Sequence, residues 1–431
     1  MRENVSVINE IQKRPFVRPL FLWIAGIILQ VCFPLQAISL ILLLIITLVI
    51  LLSFVLPETS NSHVTLLFHN RWVWGIVFAC IVVFLAIQTT GLAEQRLNTP
   101  QEPGFLLRNA LEMQARMVGK LGLLQLPDGD KSVLATLTLN YRKAMNWGVY
   151  KQFSIAGVAH LLSVSGFHVG IVSAFVHFLL SFIPRRGVVA RWIKYAVTMF
   201  CVWAFAYLSG LATAAVRAAV MITIYLTGRG VLGRNPDRYN TLAGAAFCML
   251  VYNPFYLFDV GFQLSYTAVF FLLYLQPRLS RLIEIRNPLI ANPWNVLTVT
   301  IAAQVGTIFL SFYYFGMSSM VFIFTNLSLS LLATILVPAT LVWMITPDWM
   351  PGMQLLQTMV ETLTRLMMWL VERFAVLPGA TISIRFDFFT LISSYLCLAF
   401  ILIYFRSRRY WVLIASLSTL FVILCWQLVN K

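Results

Sequence analysis

Residues 160–170 read HLLSVSGFHVG, in the middle of a long apolar run. A central charge inside a membrane span costs about 2.5–3.5 kcal/mol on insertion scales, so imidazoles and hydroxyls placed there need a reason. Ser165 followed by His168 offers a nucleophile with a nearby base, the pairing that hydrolysis uses. The same groups can instead line a wet passage, or bond to neighbouring carbonyls as plain helix packing. On an unbroken helix His160 and Ser165 point about 140° apart, from ~100° per residue, and cannot share a site. Gly166 directly after Ser165 offers a place to break or kink. A kink there would turn Ser165, His168 and freed backbone amides toward one cavity. His177 is a further polar residue down the same span.

Three more clusters put polar groups where apolar ones are expected. In GLATAAVRAAVM (210–221), Arg217 lies among small residues that allow close helix approach. A buried guanidinium needs a carboxylate, carbonyls or a passing phosphate. In FDVGFQLSYTAVFF (258–271), Asp259 opens a span and Gln263 follows one turn later. Asp259 can cap that helix or pair with Arg217, and both readings stay open. Gln304 in IAAQVGTIFL and Asn326 in FTNLSLSL each suit an interhelical hydrogen bond.

The elements that must position these groups are membrane helices. The chain has 431 residues, 60% hydrophobic and only 11% charged, with a mean hydropathy of +0.84. Soluble domains carry about 25% charged residues. A chain this poor in charge cannot cover its surface in water, which excludes an ordinary soluble enzyme. Apolar runs broken by short polar loops indicate helices rather than a barrel. The net charge of +16 fits Arg-rich cytoplasmic loops, and equally the attraction of a polyanion. The six cysteines all lie in apolar segments without a C-x-x-C pair, so neither a metal site nor a disulfide framework is expected. No H-E-x-x-H, no G-K-S/T loop and no carboxylate dyad within a span occurs. No cofactor and no metal is expected.

Spans are predicted near 19–33, 35–56, 72–92, 155–183, 193–209, 211–227, 240–252, 259–276, 294–315, 319–346, 386–405 and 410–428. The expected fold is thus an all-α polytopic bundle of about 10–12 spans. The first apolar run reads as a permanent anchor behind a cytoplasmic tail, not a cleaved leader. Residues 93–152 mix charges with apolar residues at helical spacing, an extracytoplasmic amphipathic connector between N-terminal helices (1–92) and a main domain (153–431). The Arg-rich loops at 184–194, 228–238 and 277–286 all fall on the cytoplasmic side. RSRR at 406–409 then requires one irregular crossing, which is expected as a broken helix at Asn326–Ser330. Residues 354–374 carry Glu361, Arg365, Glu372 and Arg373 and suit a surface-lying helix.

Taken in order, these stretches resemble the competence family of ComEC-type DNA-internalisation channels. HLLSVSGFHVG resembles that family's H-L-L-A-(I/V)-S-G-L-H-V-G, with FSIAGVA (153–159) upstream. GLATAAVRAAVM, VYNPFYLFDVGFQLSYTAV (251–269), AAQVGTIFLSFYYFG (302–316) and TNL (325–327) follow in the family's order. The likeness covers about 150–345, with a weaker one at RPFVRPLFLWIAGIILQ.

The resemblance implies a bacterial inner-membrane channel, not an enzyme, that carries one DNA strand inward during transformation. His160, Ser165, Gly166, Phe167, His168, Arg217, Asp259, Gln263, Ser265, Gln304 and Asn326 become candidates for the DNA path. Arg217 would meet phosphates, and Phe167, Tyr207 and Tyr266 would stack on bases. The polar side chains of several helices are expected to meet in one hydrated passage. Implied partners are single-stranded DNA, membrane lipid, and competence components such as a DNA receptor, a nuclease or a cytoplasmic motor. A short form is expected, without the OB-fold-like and metallo-β-lactamase-like domains of longer members. Two alternatives remain. One is an intramembrane serine hydrolase using Ser165, although SVSG departs at Ser163 from the G-x-S-G of rhomboid proteases and no histidine follows His177. The other is a transporter of another polyanion, such as a polyprenyl-linked glycan.

Overall fold

The computed structural model describes residues 14–33, 45, 47, 71–97, 104–182, 188–230, 236–285, 287–347 and 349–429. In chain order the helices are α1 (Val17–Cys32), α2 (Arg71–Leu97), α3 (Phe105–Leu121), α4 (Asp128–Leu139) and α5 (Trp147–Ile155). After a short 3-10 turn, Ala159–Leu162, come α6 (Gly166–Ser181), α7 (Val188–Leu208), α8 (Thr213–Gly230) and α9 (Arg238–Tyr252). A second 3-10 turn, Pro254–Phe258, leads into α10 (Val260–Ser280) and α11 (Pro288–Phe315). Strand β1 (Met317–Ser319), α12 (Phe322–Ile345), α13 (Met353–Ala375), strand β2 (Thr381–Ser383), α14 (Phe388–Ser407) and α15 (Tyr410–Val429) complete the described chain.

The chain divides into two compact units. The first holds Met1–Arg108, Ile183–Phe200 and Val216–Tyr266. Its core joins Trp23 and Ile27 of α1, Val82 and Ala86 of α2, Ala246, Met249 and Leu250 of α9, and Phe262 of α10. Gly26 permits the close approach of α1 and α2, since a Cβ there would lie 2.6 Å from Ala86 Cβ and 2.9 Å from the Val83 carbonyl oxygen. The start of α1 is tied to α9 at two points. Arg14 Nε donates to Asp237 Oδ1 at 3.1 Å, and the Phe16 amide donates to Asn240 Oδ1 at 2.9 Å.

The second unit holds Asn109–Phe182, Cys201–Ala215 and Thr267–Lys431. Its core is built around α12, whose Leu329, Ala333, Leu336, Val337 and Trp343 are buried against α4, α5 and α13. Residues 109–152, part of the stretch 93–152 expected as a connector, contribute much of this core through Leu121, Val133, Leu134 and Leu137. Two polar contacts fix them. Gln114 Nε2 donates to the Leu139 carbonyl at 2.7 Å. Lys120 Nζ donates to the carbonyls of Met344 (3.2 Å) and Thr346 (2.8 Å), at the C-terminal end of α12. Those carbonyls have no helical donor, and a cation beside them also favours the helix dipole. Lys120→Met keeps the aliphatic stem and removes the ammonium, so it should lower stability by about 1–2 kcal/mol, read as a lower midpoint of thermal unfolding in detergent.

Charges on α13 act on a carboxyl of α4. Burial and the Glu372 carboxylate push the Asp130 carboxyl above its ordinary 3.8, and Arg365 opposes this without winning. The folded state therefore favours protonated Asp130. The stabilisation from that proton is complete below about pH 4 and fades as pH rises through the raised pKa. Asp130→Asn should raise the unfolding midpoint at pH 7 and leave it almost unchanged at pH 3.5.

Five described helices are long and apolar enough to cross a membrane: Trp74–Leu97, Ile290–Phe315, Phe322–Ile345, Phe388–Ser407 and Tyr410–Gln427. Val17–Cys32, Gly166–Ser181 and Trp192–Leu208 are shorter apolar helices. The expected span 35–56 lies outside the described residues. Amphipathic α13 buries Val360, Thr364, Met367 and Val371 and exposes Leu355 and Trp369.

The expected break at Asn326–Ser330 is corrected. Helix α12 runs unbroken from Phe322 to Ile345. Two of its hydroxyls fold back onto the helix itself: Ser328 and Thr334 donate to the Phe324 and Ser330 carbonyls. The break falls instead between Leu162 and Gly166. A second difference is the antiparallel pair β1–β2, with Met317 opposite Ser383 and Ser319 opposite Thr381, in a chain expected to be wholly helical.

Candidate functional site

In the second unit, α5 ends at Ile155, where the predicted span 155–183 begins, and an irregular segment leads from it to α6. Gly157 takes a left-handed conformation (φ +79°) against Ser319 and Phe322, where a Cβ would lie 2.6 Å from Ser319 Cβ. Thr325 of α12 donates to the Ala156 carbonyl at 2.7 Å, holding the end of α5. Ser163 and Ser165 are extended, and α6 begins at Gly166. The kink expected at Gly166 is thus realised just ahead of it.

Ser165 and His168 form a reciprocal cap. The His168 amide donates to Ser165 Oγ, and the Ser165 amide donates to His168 Nδ1 at 3.2 Å. Ser165 Oγ lies 3.1 Å from the same Nδ1. An Nδ1 that accepts a backbone N–H leaves the ring proton on Nε2. His168 is fully buried, and its Nε2 has no hydrogen-bond partner. Among the described residues no carboxylate orients the ring as a hydrolase would require. Phe167 is partly exposed, its ring edge-on to His168 with centroids 5.7 Å apart. Gly166 is exposed, and so is His160, whose carbonyl accepts from Ser163 Oγ at 3.2 Å.

Also in the second unit, Gln304 Nε2 donates to Ser318 Oγ at 3.1 Å, which ties α11 to β1. This is the interhelical bond expected of it, made to a strand instead. Asn326, in the second turn of α12, keeps a buried Oδ1 without a partner.

In the first unit, Arg217 is buried with one hydrogen bond, Nη2 to the Gly261 carbonyl at 3.1 Å. Its Nη1 lies 3.9 Å from Asp259 Oδ1. That same Oδ1 caps α10 by accepting the Phe262 amide at 2.7 Å. Asp259 therefore takes both roles left open by the sequence, the cap tightly and the pairing loosely. Gln263 Nε2 donates to the Leu257 carbonyl at 3.0 Å, closing the turn ahead of α10. Ser265 is half-buried one turn after Gly261.

The candidates thus fall in two sets. Arg217, Asp259, Gln263 and Ser265 lie in the first unit; His160, Ser165, Gly166, Phe167, His168, Gln304 and Asn326 lie in the second. Two positions matter more than the sequence signalled. Tyr266, expected only to stack, has a buried hydroxyl with no partner. Gly157, quoted only as part of a motif, is the position that lets β1 and the start of α12 pack against the turn that follows α5.

Long apolar helices and polar groups held inside the helical units define a multi-pass membrane protein. The Competence protein family model matches residues 137–409. The match encloses every candidate residue, and the chain belongs to that family. ComE operon protein 3 of Bacillus subtilis (strain 168) is 28% identical over 207 residues, covering 47% of this chain. The alignment covers 24% of that relative, so the chain spans only a minor part of its length. No solved structure matches the chain.

Proposed function

We propose that the chain is a channel of the bacterial inner membrane that takes up single-stranded DNA during natural transformation. One observation carries this reading. Among the described residues six buried polar side-chain atoms have no partner; four belong to His168, Arg217, Tyr266 and Asn326, all within the competence-matched region, and the other two are the indole nitrogens of Trp23 and Trp343, the latter also inside that region. Buried polar groups are normally satisfied, so orphans concentrated on motif residues point to a visitor that supplies the missing bonds. A DNA strand brings phosphate and base acceptors to Arg217 and Tyr266, and base edges to His168 and Asn326. Aromatic faces such as Phe167 give sequence-tolerant stacking. The first-turn amides of α6 add donors for an anion.

On this reading the chain carries no catalytic centre and needs no cofactor. It works with a DNA receptor, a nuclease that supplies the single strand, and a cytoplasmic motor. Deleting it should abolish entry of labelled single-stranded DNA into competent cells, and its return should restore entry. Unchanged uptake on deletion sinks the proposal.

The Ser165 Oγ–His168 Nδ1 distance of 3.1 Å favours a second reading, a serine hydrolase. Ser165→Ala separates the two. Loss of the cap lowers stability by about 1 kcal/mol while a channel keeps most of its uptake. A hydrolase loses all turnover of its membrane substrate.

A further inference from the structure

Helices α11 and α14 run antiparallel within the second unit. Tyr395 Oη donates to the Gly306 carbonyl at 2.7 Å, and the Ile384 amide donates to the Gly316 carbonyl at 3.0 Å. Counted at ~1.5 Å per residue from the Tyr395–Gly306 bond, Trp294 and Arg406 both fall about 17 Å away on the same side. Trp294 Nε1 donates to the Ser280 carbonyl at 3.2 Å, which brings the end of α10 to that level. One end of this helix group therefore gathers Arg278, Arg281, Arg406, Arg408 and Arg409, with Glu284 the only carboxylate in the same segments.

Arg406, Arg408 and Arg409 are exposed. Among the described residues none of their guanidinium groups is paired with a carboxylate. Arg408 closes α14 in the left-handed conformation, at φ +55°, with its amide donating to the Tyr404 carbonyl at 2.8 Å. Glycine is the usual residue at such a helix end, and a side chain there is strained. Because α15 starts at Tyr410, the turn crowds three guanidinium groups into four residues. Exposed Phe405, Tyr410 and Trp411 flank them, and Leu396, Ile403, Leu413 and Leu417 leave apolar faces exposed on both helices. Both helices are long and apolar enough to cross a membrane. Their shared turn therefore lies where acyl chains meet water, the level that Trp and Tyr favour.

An occupant of this turn must join an anionic head to an apolar body. A nucleic acid strand supplies the phosphates but leaves the apolar faces beside the turn uncovered. We infer that the turn between α14 and α15 is a binding site for an anionic phospholipid. The Arg406, Arg408 and Arg409 cluster holds its phosphate, and the exposed faces of α14 and α15 receive its acyl chains. This site stands independently of the DNA-uptake reading.

The test uses the full chain released from nanodiscs of equal phosphatidylcholine and phosphatidylglycerol, with retained lipids counted by native mass spectrometry. The unaltered protein should retain phosphatidylglycerol in preference. Arg409→Gln removes one charge, and Arg408→Gly removes one charge together with the strain. Each should lower that preference about three- to fivefold, and the unfolding midpoint of Arg408→Gly should not fall. Arg385→Gln, at the far end of α14, should leave the preference as it was. No preference in the unaltered protein, an unchanged preference in Arg409→Gln and Arg408→Gly, or an equal loss in Arg385→Gln overturns the site. Inorganic phosphate and a short oligothymidylate, added at fixed ionic strength, should not displace phosphatidylglycerol. Displacement by phosphate makes the turn a plain anion site, displacement by the oligonucleotide makes it a nucleic-acid surface, and either overturns the lipid assignment.

Discussion

Arg217→Gln is expected to reduce uptake of labelled single-stranded DNA by about two orders of magnitude or more while the protein still reaches the membrane. The guanidinium sits buried in α8, held by one carbonyl and a distant carboxylate. Glutamine keeps polarity and much of the length but removes the charge and the fork. A buried charged contact made to a passing anion is worth about 3 kcal/mol, roughly a hundredfold in rate. Arg217→Lys keeps the charge without the planar fork and should retain part of the uptake, about a tenth. The competing account makes Arg217 and Asp259 a structural pair. That account expects protein abundance to fall together with uptake, and the double change with Asp259→Asn to restore both. Transformation frequency measured beside membrane abundance decides between them.

Gly157→Ala is expected to destabilise the second unit by about 2–4 kcal/mol, from two separable sources. The first is conformational, since φ +79° is strained for any residue with a Cβ. The second is steric, because the new Cβ lands 2.6 Å from Ser319 Cβ and 2.7 Å from Ser319 Oγ. Ser319→Gly removes both clashing atoms, so the double variant should recover the steric share and keep the conformational loss. Thermal unfolding in detergent reads both. A Gly157→Ala protein as stable as the parent contradicts the placement of β1 against the turn after α5. Because the break positions Ser165 and His168, uptake should fall with stability here, unlike in Arg217→Gln.

The sequence carries the helices well because hydropathy and length are local properties. The starts and ends of α2, α11, α14 and α15 lie within a few residues of the predicted spans. The dual role of Asp259 was legible too, since a helix start and a nearby Arg217 are both visible along the chain. What was not legible depends on contacts between distant residues. Lys120 meets α12 more than two hundred residues away, and nothing in its own neighbourhood marks it as a helix-end ligand. Strands of three residues, such as β1 and β2, carry too little periodicity to announce themselves. The break was sought at Asn326 because polar residues inside a span suggest irregular backbone. It lies at Ser163–Ser165, where serines bond to a neighbouring histidine and carbonyl, whereas beside Asn326 the Ser328 hydroxyl folds back onto its own helix and Thr325 reaches the carbonyl at the end of α5.

The central claim is that Phe167 in the second unit and Ser265 in the first line a hydrated path taken by a nucleic acid strand. With the six natural cysteines replaced by alanine, single cysteines can be placed by Phe167→Cys and Ser265→Cys, with Leu396→Cys on the outward face of α14 as a control. A membrane-impermeant thiol reagent should modify the first two and not the third, and a single-stranded oligonucleotide should slow both reactions. No reaction at either position, or rates indifferent to the oligonucleotide, would contradict the account.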